Sequence, residues 1–532
     1  MQNLKIWKYL SLPWLVFALT FFVIFFFLAF FNEVDIKFLS KDYLASLFLN
    51  TILMSFSSAI ISALIAVPLA ILVTFYKFPG SNFFSWALSL SIAFPAYVYA
   101  FIFVGIFEYS SPISEYLRIY GISLPSIKNI FGASIIMSMA LFPYIFLITK
   151  AQLSSVGVKV FKAAKSLGDN DLEAIRKIIL PSLRPAIIGG MALVMFETIA
   201  DFGGVSTLRV DTFTVGIYDA WFGYQSYFSG ARLAGYLLIF VFIIILISKY
   251  FGGDYRQIAS KTAEKYNKIE LSKIKQAIFL LICSSIFALV FCLPLIQLII
   301  WQISDTSVSL LNNIHLFANS LIIGILAAII TIFFATALSL SYRSSEKLRL
   351  LISISTSGYA IPGSVIAAGL LIGFDVIFNK SITVFGVYGL ILCLALRFMT
   401  PAFNYISSSL ANISKSSENA LSLKPTNSIK AFNLFYLPQI KPALLLSAMI
   451  VFIECIKEQP ATLLLRPVGF DTLSTKIYNF TSEGQWEMAA SPSLLLVMLS
   501  LIFVYLINKN ICLLYTSPSP RDQRGSRMAC CA

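Results

Sequence analysis

Three observations predict that this chain is an all-α polytopic membrane protein of about twelve transmembrane helices, built as two tandem six-helix units. Hydrophobic residues make up 58% of its 532 residues and charged residues only 12%, with a mean hydropathy of +0.85. Apolar runs long enough to cross a bilayer recur along the length, and they are continuous instead of alternating. Polar segments of related sequence sit at matching places in the two halves. The composition excludes an ordinary soluble globule. Hydrocarbon offers no water to backbone groups, so a spanning segment is a helix or part of a closed barrel, and continuous runs are helices.

The first run, Trp14 to Phe31, follows Lys5 and Lys8. No small-residue cleavage site comes after it, so it is expected to stay as the first span. Further spans are expected at about 48–76, 84–107, 130–149, 186–200 and 231–248. The second half repeats the count at about 276–301, 317–342, 350–374, 385–407, 443–457 and 492–508. The fifth span of each half is short, as a helix would be that breaks into irregular backbone near one face. An even number of spans per half gives both halves one orientation, related by an axis along the membrane normal.

Charge sets that orientation. With the amino terminus inside, 26 of the 39 lysines and arginines fall in inner loops and 10 in outer loops. This asymmetry satisfies the positive-inside rule. The net charge of +14 therefore reports topology and anionic lipid, not nucleic-acid binding. Four cysteines (Cys283, Cys292, Cys393, Cys455) are scattered through apolar spans and read as packing residues. The single His315 has no companion ligand, and no catalytic or metal-ligating constellation is present.

The most polar stretch of the first half is KVFKAAKSLGDNDLEAIRKIILPSLRPAI, Lys159 to Ile187. It is too charged to cross a bilayer and too short for a domain. A short helix closing on Gly168 is expected, then an amphipathic run Asp171 to Leu180 capped by Asp169 or Asn170, and a break at Pro181. The segment Ser416 to Leu444 repeats it at an offset of 257, with Leu180-Pro181 on Leu437-Pro438, Ala163 on Ala420 and Glu197 on Glu454. Gly168 meets Pro425, so the glycine is lost from the second copy. Further back, LFLNTILMS (Leu47 to Ser55) echoes LFANSLIIG (Leu316 to Gly324), and FPAYVYAF (Phe94 to Phe101) echoes IPGSVIAA (Ile361 to Ala368).

The pattern A-A-x-x-x-G followed by I-x-L-P resembles the EAA loop of ABC-importer permeases. Ala163, Ala164, Gly168, Ile178, Leu180 and Pro181 carry it, and in the second copy Ala420, Leu437 and Pro438; Lys162 stands where the family often has Glu. The resemblance implies a type I importer architecture in which each loop docks into a cytoplasmic ATPase, here expected in two copies. The sequence holds no G-x-x-x-x-G-K-[ST] loop, so ATP and its Mg²⁺ are expected on that separate subunit, with no cofactor on this chain.

Beyond each loop lie paired carboxylates, Glu197 with Asp201 and Glu454 with Glu458, spaced i, i+4 as residues on one helix face are. Glu197 is 13 residues past Arg184, roughly 20 Å along a helix. Carboxylates at such depth face a cavity as a rule. Two readings stand: a cation pathway lined by hard oxygen ligands, or structural pairing with Lys457 or Arg209.

The strings ETIADFGGVSTLRVDTFTVGIYDAWFG (Glu197 to Gly223) and KEQPATLLLRPVGFDTLSTKIYNF (Lys457 to Phe480) are similar to the corresponding regions of double-length ferric-iron importer permeases. That likeness implies a bacterial inner-membrane location and a periplasmic binding protein that delivers Fe(III). Thiamine-importer permeases share the fused architecture, and polyamine importers also move cations. An ion-coupled secondary transporter would explain the carboxylates but not the paired loops. The expected units are residues 10–250 and 276–511, with a cytoplasmic linker at 251–275; residues 512–532 resemble adapter-derived, non-native sequence.

Overall fold

A computed structural model describes residues 5–32, 40–154, 161, 166, 170–252, 268–304, 313–378, 386–422 and 427–516. Among these, eleven helices are long and apolar enough to cross a membrane, and a bent pair supplies a twelfth span. They are α1 (Ile6–Phe31), α2 (Lys41–Phe75), α3 (Ala96–Ile119), α4 (Ile130–Gln152), α5 (Asp171–Ala200) and α6 (Tyr227–Ile247). The second unit runs α7 (Lys273–Ser304), α8 (Ile314–Ser344), α9 (Arg349–Ala360 with Gly363–Asp375), α10 (Val387–Ala411), α11 (Ser428–Lys457) and α12 (Trp486–Ile507). Each overlaps one of the expected runs, but α5 and α11, expected to be short, are 30 residues each, and α3 runs Ala96–Ile119 where 84–107 is expected.

The core of each unit is three helices, α2 with α4 and α5, and α8 with α10 and α11. Their contact faces are small. The face of α2 buries Thr51, Ser55, Ser58, Ala59, Ser62 and Ala66; that of α8 buries Ser320, Gly324, Ala327, Ala328, Thr331 and Ala335. Small residues let helix backbones approach, and close packing is what holds helices together in lipid.

The apolar-proline steps noted in the repeat are helix breaks. The turn Leu90–Ala93 ends on Phe94 in extended conformation (φ −89°, ψ 121°), and Pro95 opens the next helix. In α9 the matching Ile361 (φ −95°, ψ 127°) precedes Pro362, and the two arms meet at 115°. Proline excludes the helical conformation from its predecessor, which places both breaks.

At Pro181 the expected break does not occur. α5 runs continuously from Asp171 to Ala200, and a single wide π-turn, Ile175–Ile179, lies immediately before Leu180-Pro181. The second unit repeats it, with Phe432–Tyr436 before Leu437-Pro438. A widened turn leaves room for the proline ring and tolerates its missing N–H, so the helix bulges instead of ending.

The first helix of each unit bridges to the other unit while packing on the last helix of its own, α1 on α6 and α7 on α12. α1 packs on α8 and α9 of the second unit, and α7 packs against α3 of the first. Trp14 meets Phe334 with ring centroids 5.1 Å apart, and Phe101 stacks on Trp301 at 6.1 Å. Glycines allow this approach: a Cβ on Gly369 would lie 2.7 Å from Phe25, and one on Gly105 would lie 2.7 Å from Trp301. Residues 253–267 of the linker fall outside the described part. Its end is stitched to the first unit by a short parallel pairing of Tyr76-Lys77 with Ile269-Glu270 and by a Lys77–Glu270 ion pair at 2.9 Å. The hydrogen bond and charge of Lys77 hold the Glu270 carboxyl below the usual carboxylate range.

Replacing Gly369 with Leu therefore forces α1 off α9. The expected cost is about 1–3 kcal/mol, read as a lower thermal midpoint in detergent, with partial recovery when Phe25→Ala is added.

Candidate functional site

At the depth where both core bundles break, residues of the two units enclose a cavity of about 80 Å³. Its wall includes all four candidate carboxylates, Glu197, Asp201, Glu454 and Glu458, together with Arg397, Lys457 and Tyr144. The structure thus brings the four predicted residues to one place.

Their roles differ from the expected pairs on one helix face. α5 ends at Ala200, so Asp201 is extended (φ −69°, ψ 135°). α11 ends at Lys457, so Glu458 is extended as well (φ −66°, ψ 116°). Neither can share a helical face with the glutamate four residues back. Each carboxylate instead turns onto the next short helix. Asp201 Oδ2 accepts from Val205 N–H at 3.0 Å in Gly203–Thr207, and Glu458 Oε1 accepts from Ala461 N–H at 3.3 Å in Pro460–Leu465. A helix start has free N–H groups, and a carboxylate satisfies them.

Charge is balanced by Arg397, one of the 26 cations counted with the inner loops although it falls inside the run expected at 385–407. Arg397 sits within α10, and its Nη1 donates to Glu458 Oε1 at 3.0 Å, with both side chains about 5% exposed. Lys457 pairs with no carboxylate among the described residues; its Nζ donates to Ile92 O at 2.8 Å, a carbonyl freed by the break before α3. Neither residue belongs in the loop charge count, and the asymmetry survives their removal. The lone charge in LCLALRFM was the available signal for Arg397.

The two glutamates on helices are held across the units. The Tyr359 hydroxyl of the second unit donates to Glu197 of the first. Tyr144 of the first donates to Glu454 Oε1 of the second at 3.4 Å. Nothing in the sequence distinguished these tyrosines from others in apolar spans. Gln459 Oε1 and Arg397 Nε, both in the cavity wall, are buried without a hydrogen-bond partner among the described residues. Beyond the carboxylates Phe202, Tyr218 and Tyr478 form an aromatic cluster that joins the units, with Phe202 4.3 Å from Tyr218 and 5.4 Å from Tyr478.

The segments following the carboxylates, Ile199 to Gly230 and Glu458 to Ser491, are long enough to receive a soluble partner. Much of each is packed into the bundle, because Val205, Leu208, Phe213 and Ile217 in one, and Leu465, Leu473 and Ile477 in the other, are buried. The repeated Asn-Thr and Asn-Ser steps explain their course. Asn50 Nδ2 donates to Asp211 O and Phe213 N–H donates to Thr51 Oγ1, at 2.9 and 3.1 Å. Asn319 Nδ2 donates to Asp471 O and Leu473 N–H to Ser320 Oγ, both at 2.9 Å. Each strap then reaches the site: Thr214 Oγ1 donates to Asp201 O at 2.8 Å, and Ser474 Oγ to Glu458 O at 3.1 Å.

Of the loop residues, Ala163, Ala164 and Gly168 lie outside the described residues. Ile178 falls in the π-turn, with Leu180 and Pro181 exposed just after it. Ala420 lies on the short helix Lys415–Ser422; Leu437 and Pro438 follow the second π-turn.

Substituting Arg397 by Met strands a buried carboxylate. The expected loss is about 3–5 kcal/mol, measured by thermal unfolding in detergent, and the added change Glu458→Gln should return most of it.

A family model described as the binding-protein-dependent transport system inner membrane component matches residues 66–258. The chain is 28% identical over 488 residues to the Fe(3+)-transport system permease protein FbpB 2 of Haemophilus influenzae, covering 89% of this chain and 92% of that one. The ferric transport system permease protein FbpB of Actinobacillus pleuropneumoniae is 24% identical, over 70% of this chain and 58% of its own length. The sulfate transport system permease protein CysT of Salmonella typhimurium is 26% identical over only 29% of this chain and 55% of its own. With a family model matched over residues 66–258 and a relative aligned nearly end to end, the chain is similar along both units to the fused, double-length permeases of binding-protein-dependent transport systems.

Proposed function

We propose that this chain is the permease of an ATP-driven importer for ferric iron, which a soluble binding protein delivers to the outer face of the bacterial inner membrane. The observation that carries the substrate is the alignment with the Haemophilus influenzae Fe(3+) permease, which spans both units. The sulfate permeases align over one segment only. The cavity chemistry agrees: carboxylate, phenol and amide oxygens from Glu197, Glu454, Tyr144 and Gln459 suit a hard cation better than an oxyanion.

In this reading the amino terminus and both EAA-like loops face the cytoplasm. Ile178, Leu180 and Pro181, with Ala163, Ala164 and Gly168, form one handle for an ATPase; Ala420, Leu437 and Pro438 belong to the other. ATP binding draws two ATPase subunits together, the handles follow, and the units part at their outer end. The bonds that must then break are those between units: Tyr359 with Glu197, Tyr144 with Glu454, and Phe202 with Tyr478. Breaking them frees Glu197 and Glu454 as ligands for the passing ion, while Asp201 and Glu458 stay engaged as caps. Hydrolysis lets the cavity close again. A thiamine importer would share the architecture, and the substrate assay separates the two.

Proteoliposomes holding this chain with its ATPase should take up ferric iron only when the iron-loaded binding protein and ATP are both supplied. Uptake of thiamine but not iron in the same vesicles overturns the substrate. The paired change Glu197→Gln with Glu454→Gln should reduce iron uptake by about 10-fold or more, as loss of ligands does at metal sites. ATP hydrolysis should persist; unchanged uptake would rule these carboxylates out of the pathway.

A further inference from the structure

The two handles are fastened to their units by different chemistry. In the second unit Arg343, at the last turn of α8, is the hub. Its Nε donates to Glu418 Oε1 at 2.7 Å, its Nη1 to Leu410 O at 2.5 Å and its Nη2 to Ile413 O at 2.7 Å. The Tyr436 hydroxyl, in the π-turn before Leu437-Pro438, donates to the same Glu418 oxygen at 3.0 Å. Arg343 and Glu418 are four-fifths buried. One guanidinium thus joins the end of α10, the helix Lys415–Ser422 and, through Glu418, the start of α11.

The repeat register shows what the first unit has there. Aligning Leu47 on Leu316 puts Thr74 where Arg343 stands. The offset of 257 puts Phe161 where Glu418 stands and Ile179 where Tyr436 stands. Phe161 stacks on Phe75 at 4.8 Å, Ile179 is buried, and Thr74 Oγ1 is buried without a partner among the described residues. Among the described residues the joint in the second unit is built on a guanidinium hub, whereas the first unit has an aromatic stack there, with Tyr76 donating to Asp171 Oδ2 at 3.5 Å as a polar tie.

The far end of α8 is fastened too. Asn319 and Ser320 hold the strap Asp471–Leu473, and Ser474 holds the Glu458 carbonyl. From Ser320 to Arg343 is 23 residues of unbroken helix, about 35 Å. α8 therefore has the second handle clamped to one end and the wall of the carboxylate cavity to the other.

We propose that Arg343, Glu418 and Tyr436 are positioning residues that make α8 a push-rod, so that movement of the second handle reaches the cavity through this clamp. Thr74 and Phe161 stand in the first unit where Arg343 and Glu418 stand in the second, so the guanidinium clamp belongs to the second handle. This rests on the importer reading above.

The test uses the full transporter in proteoliposomes, with iron uptake and ATP hydrolysis measured in the same vesicles. Glu418→Gln and Tyr436→Phe should each lower the iron moved per ATP by about 2- to 30-fold, with hydrolysis kept. Arg343→Lys, which retains charge but not the fork, should fall between them and the wild type. Thr74→Val, at the matching place in the first unit, should leave the ratio unchanged. A wild-type ratio in Glu418→Gln, or a loss of uptake that only tracks a loss of assembled complex, overturns the clamp alone. A wild-type complex that moves no solute with ATP overturns the importer reading and the clamp with it.

Discussion

Backbone polarity inside a bilayer governs the centre of this molecule. Helices break there at Phe94-Pro95, at Asp201, at Ile361-Pro362 and at Glu458. Each break frees N–H and C=O groups that hydrocarbon cannot satisfy, and an unsatisfied group costs several kcal/mol. The side chains around the cavity answer that need. Asp201 and Glu458 take the N–H groups of the next short helices, Lys457 takes the Ile92 carbonyl, and Thr214 and Ser474 take carbonyls at the carboxylates. The polar groups that make irregular backbone tolerable also make a cavity that can accept an ion. The structural reading holds for two of the four carboxylates, Asp201 and Glu458, which are caps; Glu197 and Glu454 are held by tyrosines of the opposite unit.

Duplication supplied a symmetric frame that has since been filled unequally. The straps are held by equivalent Asn-Thr and Asn-Ser steps in both units. Arg397 belongs to the second unit only, so its carboxylate at Glu458 is paired, while Asp201 is balanced by backbone N–H groups. The cavity therefore has a guanidinium–carboxylate pair on one side and a backbone-capped carboxylate on the other.

Spans, repeat and carboxylate positions were legible because each is a local property: apolar run length, matching strings, a charged residue inside an apolar stretch. The repeat LFLNTILMS/LFANSLIIG was visible, but its purpose was not, since Asn50 and Asn319 act on backbone more than 150 residues away. The continuity of α5 past Pro181 was missed because a π-turn carries no residue signature of its own. Arg397 was counted with the inner loops although the span expected at 385–407 contains it, because a charge is ordinarily kept out of hydrocarbon. Tyr144 and Tyr359 matter only through the partner unit, and nothing local marks such a contact.

The bridging first helices bear on how the polypeptide is made. α1 ends at Phe31 and packs on α6 of its own unit, but the second-unit surface it also needs begins at Ile314. At ordinary ribosomal speed, roughly 5–20 residues per second, that is some 15–60 s during which the leading helix waits in lipid with Trp14 and Phe25 unpartnered. Two separately encoded halves would each carry such an unfinished surface until they met. Joining them in one reading frame makes the meeting certain and fixes which half each orphan helix finds.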